Sequence, residues 1–123
     1  MNMKDSGKFV IQKHTRGGDV HWDLMLEADE ALETYRLGLP PERLTQEKCS
    51  AEKIFEHPPR FLTYEGSVNK GKGNVEIAES GTFNVIQQRP DYIELELSGG
   101  ILQGRFALKH IREDEWVFGV VKT

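Results

Sequence analysis

The run Phe9-Val10-Ile11-Gln12-Lys13-His14-Thr15-Arg16-Gly17-Gly18-Asp19-Val20-His21-Trp22-Asp23-Leu24-Met25-Leu26-Glu27 holds two alternating segments joined by a glycine pair. Extended backbone sends successive side chains to opposite faces. In the first segment, Phe9 and Ile11 therefore share one face, and Val10, Gln12 and His14 share the other. In the second, Val20, Trp22, Leu24 and Leu26 are opposed by His21, Asp23, Met25 and Glu27. Arg16-Gly17-Gly18-Asp19 is a turn sequence, and the two segments are predicted to pair as an antiparallel hairpin.

The same reading extends along the chain. Residues 31–37 are a third predicted strand closed by Gly38, and Pro40-Pro41 break any helix at that point. Thr45 is placed to cap a short helix over 45–55, although Lys48 stands where a full capping box needs glutamate. Further strands are predicted over 60–64, 74–78, 82–87, 92–97, 101–111 and 115–121, with glycine-, proline- or charge-rich separators between most of them. Connections this short make neighbouring strands antiparallel. The expected fold is mainly β, a small antiparallel β-barrel of about eight strands with one or two short helices, closed to hide its edges. Residues 9–123 form this single domain, behind a flexible N-terminus over 1–8.

A chain of 123 residues that is 37% hydrophobic, with 12 glycines besides, has enough apolar surface for one core. Its net charge of -4 excludes the basic footprint of a bulk nucleic-acid coater but leaves room for a local phosphate site. No apolar run approaches the roughly 20 residues of a membrane-spanning helix, and the first residues lack a signal peptide's apolar core. A cytoplasmic monomer with no membrane contact is expected. The lone Cys49 excludes an internal disulfide and a thiolate-rich metal site, and no base neighbours it in sequence to make it a nucleophile.

His21 and Asp23 leave the same face of one strand, roughly 7 Å apart at Cα by strand rise, and the Gly-Gly turn brings His14 opposite them. Two imidazoles and a carboxylate suit a divalent transition metal such as Mn, Fe or Zn. The same pattern also describes the solvated face of a one-sided antiparallel strand. His57 precedes Pro58-Pro59 at an element boundary, where it is either a surface residue or, if the fold carries it to a pocket, a general acid or phosphate ligand. His110 shares a face with Phe106 and Leu108, which makes it a core or rim histidine. The segment over 64–73 mixes glycines with Lys70 and Lys72; it reads as a mobile hairpin loop or a phosphate cradle, without the spacing of a nucleotide P-loop. Arg105 points either outward or into a barrel interior to meet an anion.

Taken together, Phe9-Val10-Ile11-Gln12-Lys13-His14 and His21-Trp22-Asp23-Leu24-Met25-Leu26-Glu27 resemble the 3′-phosphoesterase domain of bacterial DNA ligase D and its stand-alone archaeal and bacterial relatives. The similarity continues through Glu56-His57-Pro58, Tyr64-Glu65-Gly66, Ser80-Gly81-Thr82-Phe83, Gly104-Arg105-Phe106-Ala107-Leu108 and Trp116-Val117-Phe118. The resemblance implies an antiparallel β-barrel and a manganese-dependent activity that removes a terminal ribonucleoside and then the 3′-phosphate from nucleic acid in DNA repair. By position it implies His14, His21 and Asp23 as metal ligands, and Gln12 and His57 as catalytic residues, with His57 against the scissile phosphate.

Three positions depart from the family pattern. Met25 stands where the ligase-linked enzymes have an arginine, Leu39 where they have a lysine, and Phe61 where they have a tyrosine. Arg60, Lys70, Lys72 and Arg105 are the candidate replacement phosphate ligands. The expectation is thus a Mn²⁺-dependent phosphoesterase, another divalent transition metal being an alternative cofactor, that processes primer–template 3′ ends with a ligase or polymerase as partner. The apolar departures leave open a non-catalytic module binding 3′ ends or a protein, and the net charge leaves open a phosphoesterase for small phosphate esters.

Overall fold

Gly17 adopts a φ of 59°, the positive value that a two-residue hairpin turn requires at its first central position. Around it, β1 (Ser6–Arg16) and β2 (Asp19–Glu27) pair antiparallel, with His14 opposite His21, Gln12 opposite Asp23 and Val10 opposite Met25. The predicted hairpin is observed, and it sets His14 across from His21. β3 (Leu32–Leu37) adds to β2 and sets Arg36 opposite Asp23 and Thr34 opposite Met25. The computed structural model describes residues 3–122.

The remaining strands are β4 (Cys49–His57), β5 (Gly66–Val68), β6 (Gly73–Arg89), β7 (Tyr92–Gly99), β8 (Gln103–Arg112) and β9 (Glu115–Val120). Sheet order is β1-β2-β3-β4-β9-β8-β7-β6-β5, and a further β1–β6 pairing closes eight strands into an antiparallel barrel with β5 as an outer addition. Every pairing is antiparallel. The interior is filled by one face of each strand, including Phe9, Ile11, Leu24, Leu26, Tyr35, Leu37, Phe83, Leu95, Phe106 and Phe118. A second, smaller cluster lies on the opposite face of the hairpin. There Val10, Met25 and Leu32 are buried under Phe61, Leu62 and Ile77. That outer face is therefore covered rather than solvated.

Several boundaries differ from the sequence-based expectation. The helix expected over 45–55 is instead α1 (Pro41–Leu44), with Thr45 at its C-terminal end, followed by strand β4. Pairing of β4 with both β3 and β9 overrides the modest helix propensity of its Glu and Lys residues. The strand expected over 60–64 is a 3-10 turn, Pro59–Leu62, in which Phe61 N–H bonds Pro58 O and Thr63 N–H bonds Arg60 O. The strands expected over 74–78 and 82–87 are one continuous β6, because Gly81 is a point of close approach and not a turn. A Cβ there would overlap Ser98 and Gly99 of β7. Of the stretch 1–8 expected as a tail, residues 1 and 2 lie outside the described residues, Met3 bridges Ala28 in the core, and Ser6 opens β1. Among the described residues no helix is long and apolar enough to cross a membrane.

Glu79 is a buried carboxylate with a structural task. It accepts from the backbone N–H groups of Ser80 (2.9 Å), Gly100 (3.0 Å), Ile101 (2.6 Å) and Leu102 (2.6 Å), tying the β7–β8 connection to β6. Glu79→Gln keeps the shape but turns an acceptor oxygen into a donor against these groups. It is expected to lower the unfolding free energy by roughly 2–4 kcal/mol in urea denaturation. A loss below about 0.5 kcal/mol would contradict that role.

Candidate active site

Because Phe9, Ile11, Leu24 and Leu26 point inward, the alternation sends Gln12, His14, His21 and Asp23 to the outer face. There His14 Nδ1 and His21 Nε2 face each other at 2.9 Å, and His21 Nε2 lies 3.4 Å from Asp23 Oδ2. One donor atom from each of His14, His21 and Asp23 falls within 4.8 Å of the others. Two donors about 2.1 Å from one ion and at right angles across it are about 3 Å apart, so this spacing suits a shared cation. The chemistry of the set fits as well: imidazole and carboxylate serve Mn, Fe or Zn. Asp23 Oδ1 and His14 Nε2 are buried without a hydrogen-bond partner among the described residues. Gly73 lies against His14, where a Cβ would come 2.9 Å from Nε2, so the ring is held from behind.

Moving along the strands, the next row is Gln12, Asp23 and Arg36. Arg36 Nε is 3.9 Å from Asp23 Oδ1, and the arginine side chain remains 42% exposed. Gln12 is buried and donates its side-chain amide to Phe61 O (2.9 Å) and Tyr64 O (3.0 Å). It thereby fastens the 3-10 turn over the hairpin's outer face. The row beyond contains Thr34, whose hydroxyl donates to Leu32 O (3.0 Å) and whose oxygen lies 2.9 Å from His57 Nδ1. When the hydroxyl proton goes to Leu32, His57 donates from Nδ1 and its Nε2 lone pair is free. Arg36 thus lies between the histidine pair and His57.

Burial shapes the protonation of this face. It pushes the Asp23 carboxyl up to about 6, against the opposing pull of Arg36. It lowers His21 to about 4, helped by Arg36 and His14 and opposed by Asp19. His14 and His57 are also lowered, chiefly by burial and then by nearby charge in the case of His14. These shifts favour the neutral imidazole, the form in which His14 and His21 would ligate a metal.

The candidate residues separate into those that converge and those that do not. His14, His21, Asp23, Gln12 and His57 share one face with its covering turn. Arg60 sits on that turn, with its guanidinium 5.2 Å from the Phe61 ring centroid. Lys70 and Lys72 are exposed on a loop that returns to the site at Gly73, and no contact among the described residues joins them to the triad. Arg105 is not brought there. It points outward from β8, 3.7 Å from Glu94, and β8 is separated from β3 by β4 and β9. Sequence reading missed Arg36 and Thr34, although both follow from alternation in a third strand paired to β2.

A family profile for the DNA ligase D 3′-phosphoesterase domain matches residues 12–110. The chain belongs to this family. It is 30% identical over 120 residues to the multifunctional non-homologous end joining DNA repair protein LigD of Mycobacterium tuberculosis, and 30% identical over 127 residues to the LigD protein of Mycolicibacterium smegmatis. Each alignment covers 92% of this chain and 16% of the relative, so the chain spans about one sixth of those proteins' length.

The three positions expected to depart from the family pattern, Met25, Leu39 and Phe61, all pack on apolar surfaces. Met25 is buried in the outer apolar cluster, with Phe61 packed against that cluster, and Leu39 packs on the main core. The chain thus covers the hairpin with apolar side chains at Met25 and Phe61 and offers a cation from Arg36 on the neighbouring strand.

Asp23 gives this geometry a measurable consequence. Its folded-state pKa lies above its ordinary 3.8, so the folded chain holds the proton more tightly than the unfolded chain. Stability from this group therefore falls as pH rises from about 4 to about 6 and stays reduced above. In metal-free buffer, Asp23→Asn is expected to be more stable than the parent at pH 8, on the order of 2 kcal/mol, with the difference vanishing near pH 4. Thermal denaturation across that range checks this, and a variant destabilised at pH 8 would contradict it.

Proposed function

We propose that this protein is a metal-dependent phosphoesterase acting on the 3′ ends of nucleic acid, in DNA end processing by non-homologous end joining. The observation that carries the reading is the convergence of His14, His21 and Asp23 on one covered face, with Arg36 and His57 beside them. His14, His21 and Asp23 would hold a divalent cation, for which Mn²⁺ is our assignment. Such an ion supplies Lewis-acid polarisation of a phosphoryl oxygen and a more acidic bound water.

The chain's own residues supply the rest. Removal of a 3′-phosphate forms a bond from water oxygen to phosphorus and breaks the bond from phosphorus to O3′, leaving a 3′-hydroxyl and inorganic phosphate. Arg36 offers a half-exposed guanidinium to the transferring phosphoryl group, where preorganised positive charge is most effective. His57, oriented by Thr34, presents Nε2 to the same region. A proton taken up there gives His57 charge to meet a phosphate oxygen and a proton to hand to the leaving O3′. Gln12 acts as a positioning residue, holding the segment over the hairpin by two backbone carbonyls.

Met25 and Leu39 favour a second reading, because two positions that are cationic in the family pattern are apolar here. In that reading the site binds 3′ ends, with a ligase or polymerase acting on them, and releases no product.

One assay separates the two. With Mn²⁺ and a primer–template bearing a 3′-phosphate, the protein is expected to release inorganic phosphate. His21→Ala abolishes that release, and Arg36→Met lowers kcat/KM by roughly 100-fold. Metal-dependent binding of the 3′-phosphate end with no product would overturn the catalytic reading in favour of the binding module.

A further inference from the structure

We propose that Phe55 is the platform on which the nucleobase adjoining the scissile 3′-phosphate stacks, so that the site selects a nucleoside 3′-phosphate end over a bare phosphate ester. The inference deepens the phosphoesterase reading and rests on it for the position of the phosphate. Phe55 is 73% exposed, the most exposed large hydrophobic side chain among the described residues. It exists in this orientation because β4 is irregular: Thr34 pairs with Ile54 and Leu32 with His57, so Phe55 and Glu56 together oppose Glu33. A bulge of this kind re-aims side chains and recurs beside active sites.

The re-aimed ring lies parallel to the His57 imidazole, with centroids 4.7 Å apart and planes 18° from each other. His57 meets the edge of Phe61, 5.6 Å away at 85°, and is fixed on its other side by Thr34. One face of Phe55 is thus backed by the residue assigned to the phosphate, while most of its surface meets water. Aromatic rings in this setting stack nucleobases with little regard to base identity, each contributing about 1–3 kcal/mol. The Arg60 guanidinium over Phe61 adds a cation to the same rim, where the preceding phosphate of a strand would run. A protein partner is a poorer fit. The other exposed large hydrophobics, Val20, Ile86 and Ile111, lie on β2, β6 and β8, so Phe55 is a single ring beside the site and not part of an apolar patch.

The test uses the full chain with Mn²⁺ and a 5′-labelled oligonucleotide ending in a non-hydrolysable 3′-phosphonate, with affinity read by anisotropy. Phe55→Ala is expected to weaken binding roughly 5- to 100-fold and Phe55→Trp to restore it. An abasic terminal residue carrying the same phosphonate should bind the parent and Phe55→Ala equally. Equal binding of parent and Phe55→Ala to the intact end, an equal loss on the abasic end, or no binding at all overturns the proposal. Phosphate release that is absent from the parent, with Phe55-dependent binding intact, instead removes the catalytic reading and leaves the platform standing.

Discussion

The antiparallel register of β1 and β2, with His14 opposite His21 and Gln12 opposite Asp23, is the constraint on which both core and site depend. Strand side chains alternate with a period of two, so a one-residue slip would move every member of a strand to the other face. A slip of β1 would take Phe9 and Ile11 out of the barrel interior and put His14 in; a slip of β2 would do the same with Leu24 and Leu26 against His21 and Asp23. Burial of the apolar set therefore holds the polar set in register. The turn at Gly17-Gly18 does the same from the end of the hairpin, since Arg16 and Asp19 are its closing pair.

A polar outer face becomes a site only when water is partly removed from it, and this barrel does so with a short cover. The chain leaves β4 at His57, makes the 3-10 turn Pro59–Leu62, and returns through β5 to β6. Gln12 binds that cover by its amide, and Met25 and Val10 bury apolar area beneath it. The cost falls on Asp23, which is held ionised at neutral pH in a place that favours its proton. Strain of this kind is common where function needs a charge that folding alone would avoid. Arg36, from the third strand, is the only cation within ion-pairing reach of that carboxylate among the described residues.

The first two strands were legible because their alternation is long and uninterrupted, and the histidines and aspartate fell on the correct face by counting alone. The barrel followed from the number and spacing of turn signals. Three features were less accessible. β4 carries helix-compatible charged residues, and only its pairing on both edges makes it a strand. Gly81 looks like a break in sequence, yet it permits close approach of β7 within one long strand. Phe55 and His57 are two residues apart and share a face by alternation, but the bulge that sets this face against β3 follows from no sequence periodicity. Arg36 and Thr34 were within reach of sequence reasoning once β3 was paired to β2, because each stands directly across from a residue of the hairpin. Arg105 failed as a candidate for the converse reason, since proximity across a barrel depends on strand order and not on residue type.

The central claim is that β1–β2 register assembles a metal centre from His14, His21 and Asp23. Electron paramagnetic resonance of the Mn²⁺-loaded protein tests it most directly, through nitrogen hyperfine coupling at the bound ion. The account predicts one tightly held Mn²⁺ coupled to two imidazole nitrogens, reduced to one in His21→Ala. A Mn²⁺ spectrum without imidazole coupling, or coupling that persists unchanged in His21→Ala, would contradict it.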